Sequence, residues 1–203
     1  MRELVAGTTR FNDLRRGVPK MSPALLSTRL KELEAAGVVE RRPMKSETSV
    51  FEYHLTEAGK DLRPVVEAVG MWGQKWVESS LSWKDLDPSL LMWDMRRNLN
   101  PTPLPPVRTV VQFLYSDLPS TKTTWWLVIE PEGEVDLCWS DPGFDINLYV
   151  TTDLRTMKAI WMGLGTIESE RHKMELLGER KVSETMQVWL GLSPFASQKK
   201  LVA

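Results

Sequence analysis

The first forty residues place apolar side chains at helical spacing. Leu26, Leu30 and Leu33 stand four and three residues apart, which predicts a helix with one buried face. The Ser-Pro pair at 22–23 predicts its start, because a serine hydroxyl accepts from free backbone amides and proline suits the first helical position. Gly37 predicts its end, since glycine tolerates the left-handed conformation that terminates many helices.

Further elements are expected on both sides of this helix. A shorter helix is predicted near 12–16, and segments 38–42 and 50–55 predict two strands joined by a polar turn. Helical spacing resumes from a capping threonine at 56 to about 78, and again from 87 to about 99. Two helices with a tight turn between them, followed by a two-stranded hairpin, are typical of a winged helix-turn-helix.

The second half of the chain changes to alternating apolar and polar positions, which is typical of strands with one buried face. Four such segments predict strands: 107–115, 124–129, 135–139 and 146–150. Asp153 predicts the cap of a following helix, and helical material is expected again near 166–177. A meander of strands followed by helices indicates an α+β arrangement.

A proline-rich segment separates the two patterns. Residues 100–106, "NPTPLPP", hold four prolines in seven positions. Proline cannot continue a helix and favours a stiff, extended chain. The sequence therefore predicts a first domain at 1–99, a linker at 100–106 and a second domain at 107–198.

Charge is distributed unevenly, although the 203-residue chain has a net charge of only −1. Residues 10–45 carry nine Lys or Arg against four acids, whereas residues 64–203 carry 14 basic and 18 acidic residues. This asymmetry indicates an anionic partner for the first half. A single cysteine, Cys138, allows no intrachain disulfide, and no apolar run reaches membrane-spanning length. We therefore expect a cytoplasmic protein that does not bind membranes.

The outward face of the helix after Ser22 carries mostly small side chains and few acids. Ala24, Ser27, Thr28 and Lys31 point away from the leucines, with Leu25 and Arg29 at the margins. Small side chains allow a recognition helix to approach base edges, and its N-terminus suits a phosphate. From the pattern alone, two interpretations stay open, a DNA-contacting face and a protein-contacting face.

Residues 2–77 resemble the HxlR-type winged-helix transcriptional regulators, which are related to the MarR type. The resemblance rests on "RFNDLRR", on "SPALLSTRLKELEAAGVVERR" and on "YHLTEAGKDL" before a Trp-rich helix. It implies a homodimer that binds double-stranded DNA sequence-specifically, with 22–29 on the recognition helix and 41–49 on the wing. The candidate DNA-binding residues are Arg10, Asn12, Ser22, Pro23, Ala24, Leu25, Ser27, Thr28, Arg29, Lys31, Arg41, Arg42 and Lys45.

The start of the chain departs from the family pattern. Members of the family usually begin one helix earlier, often with a cysteine, and Met1 falls where that helix should end. An upstream start, a truncated chain and a different mode of dimerisation are the alternatives. A redox sensor at that cysteine is not expected.

Enzyme signatures are scarce. The two histidines, His54 and His172, lie in no motif with Cys138 or with a serine nucleophile, and no spacing typical of a metal site occurs. We therefore predict no catalytic residue, no metal site and no cofactor.

The second half carries an unusual number of large apolar side chains. Tryptophan and methionine adapt to ligands of varied shape, but they also fill ordinary cores. Both interpretations stay open, although one of the neighbouring Trp125 and Trp126 must face inward and the other outward. The candidate ligand-binding residues are Trp125, Trp126, Trp139, Leu148, Met157, Trp161 and Trp189.

Residues 107–195 resemble, more loosely, the sterol-carrier-protein-like fold, on "VDLCWSDPGFDINLYVTTDLRTMKAIWMG" and "MELLGERKVSETMQVWLGLSPFA". That resemblance implies an α+β domain with about five strands covered by helices, and an apolar small-molecule ligand. The combined hypothesis is a bacterial transcriptional regulator that a hydrophobic ligand modulates. The alternatives are a lipid or sterol carrier whose winged helix serves mainly in dimerisation, and an enzyme acting in the apolar pocket.

Overall fold

Two compact units make up the chain, Met1–Gly73 (unit 1) and Gln74–Ala203 (unit 2). The computed structural model describes residues 1–47, 49–77, 86–119 and 123–202. Each unit combines helices with a sheet, which confirms the predicted α+β class and the helix-turn-helix at the N-terminal end.

Unit 1 has the predicted helix and hairpin order. Its helices are α1 (Arg2–Val5), α2 (Phe11–Gly17), α3 (Pro23–Ala35), α4 (Glu57–Asp61) and α5 (Arg63–Trp76), the last of which extends past Gly73. Its strands are β1 (Val39–Pro43) and β2 (Phe51–Leu55), which pair antiparallel and form the wing. Its core contains Leu4, Leu14, Leu26, Leu30 and Val39.

Helix α3 begins and ends as its sequence predicts. The Ser22 hydroxyl accepts from the Leu25 amide at 3.2 Å, and Pro23 is the first helical residue. Gly37 follows the helix with a φ of +69°, a conformation that side chains with a Cβ rarely adopt. Leu26 and Leu30 are buried, and Leu33 packs against the same core from a partly buried position.

The helix predicted from residue 56 to about 78 is two helices, and residue 78 lies outside the described residues. Thr56 caps α4 by accepting from the Gly59 amide at 3.1 Å. The break before α5 has a local cause at Pro64, because a proline lacks the amide proton that a continuous helix needs and its ring clashes with the carbonyl four residues back.

Unit 2 is built around one mixed sheet. Its helices are α6 (Pro88–Asn98), α7 (Leu154–Trp161), α8 (Arg180–Glu184) and α9 (Met186–Trp189), with a 3-10 turn at Arg171–Lys173. Its strands are β3 (Thr109–Tyr115), β4 (Thr124–Ile129), β5 (Val135–Cys138), β6 (Leu148–Thr152) and β7 (Glu175–Gly178). The strand order is β5-β4-β3-β6-β7, and β3 and β6 are the parallel pair.

Strand β7 lies where the sequence predicts helical material, near 166–177, and that prediction is wrong at this point. The segment Glu175–Gly178 pairs antiparallel with β6, with Leu176 opposite Val150. Only the 3-10 turn before it is helical. The residues "ELLG" have no strand pattern of their own, so tertiary pairing with β6 decides their conformation.

The proline-rich segment belongs to unit 2 rather than between two domains. Leu104 is buried in the core of unit 2, and the Asn100 amide donates to the Trp189 carbonyl at 2.8 Å. Helix α6 buries Met92, Trp93 and Met95 in the same core. The division at Gly73 therefore differs from the predicted boundary at 100–106, because α6 and the prolines pack with the sheet.

One face of the sheet carries the large core of unit 2. Phe113 and Tyr115 of β3 are buried there beside α6, and the Tyr115 hydroxyl donates to the Met92 sulfur at 2.9 Å. Burial raises the pKa of the Tyr115 hydroxyl well above its usual value. The opposite face has a smaller cluster of Val110, Trp126 and Val128.

Candidate nucleic-acid interface and ligand site

The outward face of α3 is accessible along its length. Among the predicted contact residues on this helix and its cap, Ser27 is half-buried and the others are exposed: Ser22, Pro23, Ala24, Leu25, Thr28, Arg29 and Lys31. The first turn of the helix contains no acidic residue. A DNA phosphate or base edge can therefore approach the N-terminal half of α3 without meeting a carboxylate.

The Thr28 side chain has two groups that could contact a base, a hydroxyl and a methyl. Its hydroxyl donates to the Ala24 carbonyl at 3.1 Å, so the hydroxyl proton is engaged within the helix. The hydroxyl oxygen keeps lone pairs that can accept from a base amine, and the methyl group can contact the methyl of thymine in the major groove. Thr28 can therefore accept a hydrogen bond from a base or make apolar contact with it, but its hydroxyl does not donate while this bond is kept.

Arg29 is held in an exposed ion pair. Its guanidinium lies 2.7 Å from a Glu32 carboxylate oxygen, and more than half of each side chain is exposed. Exposed pairs of this kind contribute about 0–1 kcal/mol, so a phosphate can displace the carboxylate at small cost. Lys31 is exposed on the same helix.

The wing carries its basic residues on and beyond β1. The guanidinium carbon of Arg41 lies 3.7 Å from the centre of the Phe51 ring, and Arg42 forms an ion pair with Glu40. Lys45 is exposed beyond the strand, and residue 48 of the predicted wing lies outside the described residues. Phe51 and Glu40 were not among the predicted site residues. Phe51 meets Arg41 across the hairpin, which no local pattern reveals, whereas Glu40 lies two residues before Arg42 on the same strand.

Arg10 and Asn12 lie at the start of α2. Arg10 is the residue before the helix, and its backbone forms an isolated bridge with Glu52 of β2. Asn12 is exposed on the first turn. The bridge places the beginning of α2 beside the wing, so Arg10 lies on the same unit as the other predicted DNA contacts.

Most of the predicted ligand-binding residues form a packed core. Five of them share the large core of unit 2: Trp125, Leu148, Met157, Trp161 and Trp189. Trp126 lies on the other face of the sheet, as the alternation requires, and Trp139 is 60% exposed. The structure therefore does not bring the seven residues together around one site.

Two of the indole nitrogens in this unit are buried without a partner. Within the described part of the chain, Nε1 of Trp126 and of Trp161 have no hydrogen-bond acceptor, whereas Nε1 of Trp189 donates to the Val182 carbonyl at 2.7 Å. The Trp126 and Trp161 rings are therefore held by apolar packing rather than by a hydrogen bond from the indole nitrogen.

A cleft of about 570 Å³ lies elsewhere in unit 2, between the segment after α7, strand β7 and the two last helices. It is lined by Thr166, Ile167, Glu168, Arg171, Leu176, Ser183, Glu184 and Gln187. None of the predicted ligand-binding residues lines it. The sequence signal that could have found it is weak, since these residues come from three separate segments.

The histidines and the cysteine form no catalytic arrangement in the described ranges. His54 lies 3.2 Å from Glu52 on the wing, His172 is exposed in the 3-10 turn, and Cys138 is half-buried at the end of β5. No group of three or more His, Cys, Asp or Glu in the described part of the chain could hold a metal ion. Among the same residues, no helix is long and apolar enough to cross a membrane.

The helices and hairpin of unit 1 define a winged helix-turn-helix protein. A family model described as HxlR-like helix-turn-helix matches residues 1–81. The chain is 37% identical over 78 residues to the HTH-type transcriptional regulator YvaP of Bacillus subtilis, covering 38% of this chain and 72% of YvaP. It belongs to the HxlR-type family of helix-turn-helix transcriptional regulators.

Other relatives match the same part of the chain. The HTH-type transcriptional regulator YdeP of Bacillus subtilis is 40% identical over 73 residues, which are 36% of this chain and 57% of YdeP. A regulator from Methanothermobacter thermautotrophicus is 35% identical over 68 residues, 34% of this chain and 52% of that protein. The chain thus spans little more than half the length of these two relatives.

One solved structure gives a weak likeness. The sec-alkylsulfatase Pisa1 from Pseudomonas sp. superposes with a TM-score of 0.41 and 16% identity, over 55% of this chain and 17% of that chain. A likeness at this level defines no shared activity.

Proposed function

We propose that the protein regulates transcription by placing α3 in the major groove of duplex DNA and the wing against the flanking backbone. The observation that carries this proposal is the exposed, acid-free N-terminal half of α3, positioned by the Ser22 cap. A face that served only solubility would more often carry long acidic and basic side chains. Thr28 and Leu25 supply apolar contacts to bases, and Lys31 supplies a cation.

The wing supports the same proposal through its charge. Arg41 is held against Phe51, which fixes the position of the guanidinium and reduces the entropy lost when it contacts DNA. Arg42 and Lys45 extend the basic surface beyond it. Each phosphate contact of this kind releases a counterion, so the proposed binding weakens steeply as salt rises.

We propose that the regulator is a homodimer that pairs through α5. Four apolar residues on this helix recur at spacings of four, three and four: Val65, Val69, Trp72 and Trp76. Their exposed fractions lie between 46 and 65%, whereas large apolar side chains normally avoid water in such a row. This spacing matches the seam of paired helices, and a second copy supplies an identical seam.

We propose that unit 2 is a sterol-carrier-like sensor that binds a hydrophobic small molecule and alters DNA affinity. A five-stranded mixed sheet with a helix-covered core supports this fold. Because the tryptophan core is packed, we propose the cleft, rather than the space among the rings, as the ligand site. A carrier protein whose winged helix serves only dimerisation is the competing function.

A DNA selection distinguishes the two functions. The full chain is incubated with a random duplex library, bound DNA is amplified over several rounds, and affinity for the enriched duplex is measured against salt. A regulator enriches a defined sequence and shows a linear fall of log affinity with log salt. A carrier enriches no sequence, and that result would overturn the proposal.

A further inference from the structure

Two exposed side chains lie at the centre of the outward face of α3. Leu26 and Leu30 mark the buried side of the helix. Because successive helical residues turn by about 100°, Ala24 and Thr28 lie nearly opposite that side, and both are exposed. Recognition helices contact base edges with the residues near their N-terminus. Ala24 and Thr28 are therefore the residues that a base edge in the major groove would meet.

The first turn of α3 presents apolar side chains only. Pro23, Ala24 and Leu25 carry no side-chain donor or acceptor, and 43% of Leu25 is exposed. A guanine is contacted most often by an Arg or Lys that donates to its O6 and N7 atoms, and none of these three residues can do so. The apolar group that the major groove offers is the C5-methyl of thymine. This end of the helix therefore suits thymine better than guanine.

Thr28 extends this surface by one helical turn. Its hydroxyl donates to the Ala24 carbonyl at 3.1 Å, and this hydrogen bond holds the side chain in one rotamer. The γ-methyl is thus fixed before DNA binds, so contact with a thymine methyl costs little side-chain entropy. The lone pairs of the hydroxyl can accept from the N6 amine of adenine. An A·T pair therefore offers partners for both groups of Thr28, whereas a G·C pair has an amine but no methyl.

The neighbouring cations suit other parts of the DNA. Arg29 lies at the margin of the outward face, and its guanidinium is 2.7 Å from a Glu32 carboxylate oxygen. Lys31 lies further from the N-terminus of the helix than Thr28, so it would contact a phosphate or a different base pair. The base pair opposite Thr28 is therefore contacted without a cation.

We infer that α3 selects A·T base pairs, and that the Thr28 methyl contacts the C5-methyl of one thymine in each bound site. This inference rests on the proposed placement of α3 in the major groove, and it makes Thr28 the residue that determines specificity at that base pair. Burial of one methyl group corresponds to about a fourfold difference in affinity.

The DNA part of the test removes single methyl groups. The duplex that the full chain selects from a random library is synthesised with each thymine replaced in turn by deoxyuridine, which lacks the C5-methyl and keeps the base pair. Fluorescence anisotropy should show about a fourfold loss at the thymine that contacts Thr28. The thymines outside the contacted positions are the controls and should show no loss. A selected duplex in which no thymine responds would overturn the inference.

The protein part of the test separates the two groups of Thr28. Thr28→Ser keeps the hydroxyl and removes the methyl, so it should bind the thymine and deoxyuridine duplexes equally. Thr28→Val keeps a methyl and removes the hydroxyl, so it should still prefer thymine. Far-ultraviolet circular dichroism checks that both variants are folded. A thymine preference of the same size in Thr28→Ser and in the original protein would assign that methyl to another residue and overturn the inference.

The same experiment distinguishes this inference from the proposed function. If the library yields no defined sequence, the proposed regulator fails, and the inference fails with it. If it yields a defined sequence whose affinity depends on no thymine methyl, the regulator stands and only the inference is overturned.

Discussion

Gly59 marks a close approach between the helix after the wing and the residue that precedes β1. A Cβ at this position would fall on the backbone carbonyl oxygen of Val38, which cannot move without displacing β1. The Thr56 hydroxyl, which caps α4, also donates to the Gly37 carbonyl at 2.7 Å. The Thr56 hydrogen bond and the close packing at Gly59 therefore hold α4 against the start of the wing.

Gly59→Ala should destabilise unit 1 by about 1–3 kcal/mol, because the new methyl overpacks against backbone. Gly73→Ala is the matched control. A Cβ there meets nothing within 4 Å. Alanine in a helix should raise stability by up to about 1 kcal/mol. Urea unfolding of both variants measures the difference. A Gly59→Ala protein as stable as the original would show that the close approach is not maintained in solution.

The exposed positions of the candidate residues on α3 could be predicted from the sequence because they depend on local signals. Helical spacing, the Ser-Pro start and Gly37 suffice to place Thr28 and Lys31 on the outward face. The back-bond of Thr28 to Ala24 and the stacking of Arg41 on Phe51 could not be predicted, since each depends on a choice among side-chain rotamers.

At the scale of elements, the wing and four of the strands of unit 2 lie at or near the segments that the sequence predicts. The exceptions have physical causes. Strand β7 takes its conformation from pairing with β6, and Pro64 interrupts the helix predicted from 56 to 78. The spacing of apolar residues reflects which side of one element is buried. It does not reveal which segment pairs with the edge strand of a sheet.

Replacing Arg41, Arg42 and Lys45 by alanine should weaken binding to all DNA sequences alike. The log–log salt slope should fall by about 0.9 for each lost phosphate contact. The control removes three exposed lysines of unit 2, Lys173, Lys181 and Lys199, and changes net charge equally. Fluorescence anisotropy over a salt series measures both proteins. A changed sequence preference with an unchanged slope would mean that a wing residue contacts bases.

Trp72→Glu should convert the proposed dimer to a monomer, because it places a charge at the centre of the α5 seam. Light scattering after gel filtration measures the mass. The control is Val107→Glu, since Val107 is exposed to a similar extent in unit 2. A Trp72→Glu protein that remains dimeric would exclude α5 as the main dimer contact.

At the scale of the molecule, the sequence predicts two parts and a mixed fold, and the two compact units divide at Gly73, whereas the predicted linker lies at 100–106. The proline-rich segment is part of unit 2 because Leu104 is buried in its core. Five of the seven residues predicted to line a pocket belong to that core, whereas Trp126 lies on the other face of the sheet and Trp139 is exposed. Composition gives the amount of apolar surface, whereas the arrangement of helices over the sheet decides whether a cavity remains.

The placement of α3 against DNA bases is the centre of the proposed function, and Thr28 tests it most directly. Thr28→Glu puts a carboxylate on the exposed face while Leu26 and Leu30 keep the helix packed. Ala58→Glu adds the same charge on the first turn of α4, where an acidic residue suits the helix.

The measurement is the affinity of both variants for the duplex that the original protein selects. Thr28→Glu should lose about 1–3 kcal/mol per disrupted base contact, with additional loss from phosphate repulsion. Ala58→Glu should bind within about twofold of the original, as expected for an added charge outside the interface. Equal affinity of Thr28→Glu and the original protein would remove α3 from the DNA interface.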